Sequence, residues 1–195
     1  MIPTWFWDLL FNLSLLNISF NMIEGLLPNP LPIQSYADVD MRSNILTGPL
    51  PLLSDMVELL DLSNNQFNGT IPPNIGDWQP NLIYLSLSAN NLSGKIPTSV
   101  GEIQELQALD LSGNKLTGTI PQSLQNLMYL KALGLEHNFL SGPIPASLGS
   151  LKQLQSLHLN NNQLSGQNCS SLETLDLGNN SIDGVLPIWL GWSLP

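Results

Sequence analysis

The sequence predicts a right-handed repeat solenoid of the α/β type, with a concave parallel β-sheet and short 3₁₀ or irregular convex segments. Three observations predict it. First, the phrase L-x-x-L-x-L-x-x-N recurs, with its asparagine at Asn21, Asn44, Asn65, Asn90, Asn114, Asn138, Asn162 and Asn180. The intervals are 23, 21, 25, 24, 24, 24 and 18 residues, so the unit is 24 residues long. Second, seven of the eight asparagines, all but Asn162, are followed by x-L-x-G-x-I/L-P. This is clear in 92–97, 116–121 and 140–145 and looser in 23–28, 46–51, 67–72 and 182–187. Third, the stretches that follow, such as 123–127, are too short for a stable α-helix and suit a single 3₁₀ turn. The expected organisation is one domain over 1–195, with about eight repeats and a shortened repeat at 163–180.

Each part of the unit has a physical reason. In the coil ending at Asn114, Leu106, Leu109 and Leu111 alternate as in a short strand with one face inward. A single coil has no partner for that face, so identical coils must stack to bury it. The asparagine closes the strand, and its amide both donates to and accepts from backbone groups that the bend leaves unpaired. Glycine permits the turn that follows, and proline stops further edge pairing. Leu, Asn, Gly and Pro are therefore scaffold, and function must lie at the variable positions.

Only 10% of the residues are charged, and the net charge is −10. Five Lys and Arg in total leave no basic stripe for phosphates or an anionic leaflet, which argues against nucleic-acid binding and membrane contact by this segment. The apolar stretch 2–16 has no basic flank, carries Pro3 and Asp8, and is too short to span a bilayer. One cysteine, Cys169, excludes an internal disulfide framework; it is expected to be a small buried side chain.

Counted back from each asparagine, residues three, five and eight earlier should be buried, and residues one, two, four and six earlier should face the concave side. Asp40, Asp61, Asp110 and Asp176 share one repeat position and read as a solvated column. The departures from the Ser/Asp pattern are the candidate ligand contacts: Arg42, Tyr84, Glu136, His137 and His158, with Ser86, Asp110 and Asn160 beside them. Glu136, His137 and His158 lie on adjacent coils, but their repeat positions differ, so no convergent metal site is expected. No catalytic constellation stands out, and no cofactor is expected. Six N-x-S/T sequons occur, at Asn12, Asn17, Asn68, Asn91, Asn168 and Asn179. Asn68 and Asn91 are the better acceptors because they follow the strand on an exposed edge.

The L-x-G-x-I-P phrase on a 24-residue period resembles the plant-type leucine-rich repeats of receptor-like proteins and receptor-like kinases. Ile2-Pro3-Thr4-Trp5-Phe6-Trp7-Asp8-Leu9, Leu59-Leu60-Asp61-Leu62-Ser63-Asn64-Asn65 and the run 168–180 resemble internal repeats of the receptor-like proteins used in pathogen perception. The resemblance implies a recognition module outside the plasma membrane, facing a peptide, a protein or a small elicitor, with a co-receptor kinase as a further partner. It also implies a longer parent. Both ends fall within a repeat, and the chain carries neither the family's signal peptide, cysteine-bearing cap and transmembrane helix nor a kinase domain, so a fragment is expected. Alternatives on the same repeat are a secreted inhibitor of a microbial cell-wall hydrolase, a piece of a receptor-kinase ectodomain, and a non-functional gene remnant. The six residues missing before Asn180 predict a coil that keeps its strand and loses its convex segment.

Overall fold

The computed structural model describes residues 2–33, 37–53, 57–165 and 174–180. Eight three-residue strands form one parallel sheet in chain order: Leu15–Asn17, Asp38–Asp40, Leu59–Asp61, Tyr84–Ser86, Ala108–Asp110, Ala132–Gly134, Ser156–His158 and Thr174–Asp176. The register repeats from coil to coil, with Leu16 opposite Val39, Leu60 opposite Leu85, Leu109 opposite Leu133 and Leu157 opposite Leu175. These middle residues point into the core, and all but Leu175 are buried. One apolar core runs through the stack, with Leu106, Leu109 and Leu111 among its members.

The ladder asparagines tie neighbouring coils together. Asn114 Nδ2 donates to Leu111 O (3.2 Å) and Ser112 O (3.1 Å) of its own coil and to Leu87 O of the coil before (2.9 Å). Its Oδ1 accepts from Leu92 N (3.0 Å). Asn44, Asn65, Asn90, Asn138, Asn162 and Asn180 repeat these bonds. Asn21 is exposed and donates only within its own coil, to Ile18 O and Ser19 O.

The residues after the asparagine do more than turn. They form a second parallel sheet of seven strands: Glu24–Leu26, Ile45–Gly48, Gln66–Thr70, Asn91–Lys95, Lys115–Gly118, Phe139–Pro143 and Gln163–Ser165. This sheet is sheared by two residues per coil, so Ser93 sits opposite Lys115 and Ser141 opposite Gln163. The sequence reading gave this stretch only a glycine turn; the glycine instead lies inside the strand, with Gly94 at φ +78°. The chain then leaves through Pro97, Pro121 or Pro145, which cap the 3₁₀ turns Thr98–Glu102, Gln122–Asn126 and Ala146–Ser150. Two short α-helices, Thr4–Asp8 and Ile75–Trp78, take the place of such turns. The convex segment before Asn180, Asn168 and Cys169 lie outside the described residues. Among the described residues no helix is long and apolar enough to cross a membrane.

Candidate recognition face

Four columns of side chains run along the concave sheet, one residue per coil. Six residues before the asparagine stand Leu15, Asp38, Leu59, Tyr84, Ala108, Ala132 and Ser156. Next come Asn17, Asp40, Asp61, Ser86, Asp110, Gly134, His158 and Asp176, then Ser19, Arg42, Ser63, Ser88, Ser112, Glu136, Asn160 and Gly178. The last column, directly before the asparagine, is Phe20, Ser43, Asn64, Ala89, Gly113, His137, Asn161 and Asn179. Every one of these has a left-handed backbone, with φ between 50° and 63°. His137 therefore sits at the bend that ends the strand.

The aspartate column corrects the reading of a merely solvated row. Asp40, Asp61, Asp110 and Asp176 each turn Oδ1 back to accept the backbone N–H two residues on, from Arg42, Ser63, Ser112 and Gly178 at 2.9–3.2 Å. Asn17 does the same for Ser19 (3.0 Å). Asp61 is buried. These carboxylates brace the bend in the manner of an Asx turn. Where the column lacks an Asp or Asn, Ser86 bonds Ser88 Oγ (3.1 Å) and His158 Nε2 lies 2.8 Å from Ser156 Oγ. Gly134 has no side chain to offer.

Three of the candidate contacts share the next column, and each has a polar atom that is shielded from solvent and has no hydrogen-bond partner: Arg42 Nε, Glu136 Oε2 and Asn160 Oδ1. The space above Gly134 is narrow. A Cβ there would stand 2.9 Å from Asp110 Oδ1 and 3.3 Å from Glu136 Oε2, so the two carboxylates close over the glycine and leave no room for a side chain. His137 Nε2 lies 3.2 Å from Asn161 Nδ2 on the next coil, whereas His158 engages Ser156. The two imidazoles thus have separate partners, and among the described residues no group of three His, Cys, Asp or Glu is placed to hold a metal ion. Burial, and after it the charge of Asp61, push the Tyr84 phenol above its ordinary pKa.

Sequence reasoning missed the leucines of the outermost column. Leu15 is 59% and Leu59 39% exposed, while their neighbours Leu16 and Leu60 fill the core. The Leu-Leu doublets carried that signal, because strand alternation buries only one member of each. Of the sequons, Asn12 belongs to the 3₁₀ turn Leu9–Asn12. Asn17 is on the concave sheet, and Asn179 is exposed and donates to Asn161 Oδ1 (2.8 Å). Asn68 and Asn91 lie within the second sheet, as exposed residues paired across adjacent strands. Both follow a concave strand, but they do so inside a second sheet that the sequence had not predicted.

These features define a parallel-β repeat solenoid with columns of variable side chains along its concave sheet. Models of the leucine-rich repeat match residues 104–164 and residues 56–78, 81–103 and 171–192, together about two thirds of the chain. The chain belongs to the leucine-rich-repeat family, and its repeats are similar to those of plant receptor-like proteins and receptor ectodomains. It is similar to receptor-like protein EIX2 of Solanum lycopersicum, at 36% identity over 72 residues, which are 36% of this chain and 7% of that protein. Among solved structures, a TDR receptor is 34% identical, with a TM-score of 0.87 over 99% of this chain and 35% of that one. The Arabidopsis receptor kinase HAESA, solved with the peptide hormone IDA and the co-receptor SERK1, is 32% identical, with a TM-score of 0.70 over 89% of this chain and 35% of its own. The chain thus spans only a small part of the length of these relatives.

Proposed function

We propose that this chain is a ligand-recognition segment from the extracellular domain of a plant cell-surface receptor-like protein, and that it works by binding and not by catalysis. The concave sheet is the binding face. Its length supports an extended peptide or protein loop as ligand: seven strand steps of about 4.8 Å give roughly 34 Å, matching about ten extended residues. A co-receptor kinase is a second partner on this reading, by analogy with the HAESA complex.

The observation that carries the proposal is the set of unpartnered polar atoms on Arg42, Glu136 and Asn160. A polar atom withdrawn from water without a partner costs about 1–3 kcal/mol, and a ligand that supplies the partner recovers it. On this reading a ligand N–H that reaches Glu136 Oε2 or Asn160 Oδ1 supplies the missing partner.

The test uses the secreted full chain, panned against displayed random peptides of about ten residues. Selected peptides should lose affinity about tenfold or more on Glu136→Ala or Asn160→Ala, as at a binding hot spot. They should bind Gln66→Ala and Thr117→Ala of the second sheet unchanged. The reverse pattern would refute the concave sheet as the binding face.

A further inference from the structure

The concave face is not uniform along its length. In its outermost column the first four coils carry Leu15, Asp38, Leu59 and Tyr84, whereas the next three carry Ala108, Ala132 and Ser156. The larger side chains enclose a recess of about 250 Å³, floored by Asp40, Asp61 and Arg42. Its walls are apolar where Leu15 and Leu59 stand out from the sheet, and acidic between them. Arg42 lies 3.6 Å from Asp40 and 3.4 Å from Asp61, and its guanidinium rests 5.2 Å from the centre of the Phe20 ring. One cation therefore answers three carboxylates, and Asp38 has no ion-pair partner among the described residues.

We propose that this recess docks a basic–apolar segment of an extended peptide, with a Lys or Arg side chain against Asp38 and a neighbouring apolar side chain on Leu59 and Tyr84. The inference rests on the recognition reading above and narrows it to one chemical class of ligand. Charge complementarity selects the occupant. The recess has two carboxylates in excess of its cation, and the whole chain carries −10, so a cationic peptide is drawn in and an acidic one repelled. The same charge opposes a second copy of this chain as occupant. The exposed leucines and the tyrosine edge give such a ligand an apolar anchor that the alanine-lined coils lack.

The experiment measures fluorescence anisotropy of labelled peptides with the full chain. The probe is a peptide of about ten residues with alternating Arg and Leu in a Gly-Ser background; its partners carry Glu for Arg, or Ser for Leu. The basic–apolar probe should bind and weaken with added salt, and neither partner should match it. Asp38→Asn and Leu59→Ser should each weaken it about fivefold or more, a loss of about 1 kcal/mol. Arg42→Gln should tighten it, because it removes the competing cation. Equal binding of the Glu peptide, or no change on Asp38→Asn, overturns this inference and leaves the recognition reading to the library selection. If the selection also yields nothing that depends on the concave sheet, both fall.

Discussion

Two side-chain devices, repeated coil after coil, hold the curved backbone in shape. The ladder asparagine bonds across coils, and the aspartate two residues into the bend bonds within one. Removing the first is the costlier change. Asn114→Ala leaves Leu92 N–H without its partner and takes from Leu87 C=O the nearer of its two amide donors, the other being Asn90 Nδ2, and should destabilise the chain by roughly 2–3 kcal/mol in chemical denaturation. The left-handed position before the asparagine makes the opposite prediction. Ala89 holds φ +51° with a Cβ that disfavours it, so Ala89→Gly should stabilise by about 0.5–1 kcal/mol, read in the same assay. Tyr84 offers a pH test. Its raised phenol pKa means that the folded chain resists ionising it, so any stability tied to the neutral phenol is complete below the ordinary tyrosine pKa and is lost as pH rises through the raised value. An ultraviolet titration compared with Tyr84→Phe should show this tyrosine ionising later than a free one.

At the scale of elements, the first sheet was legible because its leucines alternate: Leu109 and Leu111 bury and Asp110 between them does not, although Asp61 and Ser86 at the same repeat position are buried. The ladder positions were legible from their period. The second sheet was not, since x-L-x-G over a few residues has the composition of a turn and its strands gain their pairing only from stacked neighbours. Nor was the role of the aspartates visible, because an Asx bond to the backbone leaves no mark in the sequence beyond the aspartate itself. Leu15 and Leu59 were hidden among many core leucines. The second sheet places a constraint of its own on glycine. Gly94 sits at φ +78°, and a Cβ there would stand 2.9 Å from Thr70 Cγ2. Gly94→Ala should cost about 1–2 kcal/mol, measured as a shift of the unfolding midpoint, with no effect on peptide binding at the other sheet.

For the whole molecule, stacking means that each coil is held mainly by its neighbours, so stability should vary along the chain. Coils between Leu82 and Leu164 bury nearly all of their leucines, whereas Leu15, Phe20, Met22 and Leu26 of the first coil are exposed. Hydrogen exchange should therefore be slowest over 106–159 and fastest over 15–26. The separation of labour between the two sheets also belongs to this scale: one carries the carboxylates beside Leu15, Leu59 and Tyr84, and the other mixes small polar side chains such as Ser93, Thr117 and Ser141 with exposed Leu26, Ile45 and Phe139 and has no Asp among the described residues. Site-specific photo-cross-linking tests that division most directly, with a photoreactive residue at Leu59, Tyr84, Gln66 or Thr117 and the Arg-Leu peptide as ligand. The account predicts covalent adducts from Leu59 and Tyr84 alone. Adducts from Gln66 or Thr117, with none from the concave positions, would contradict it.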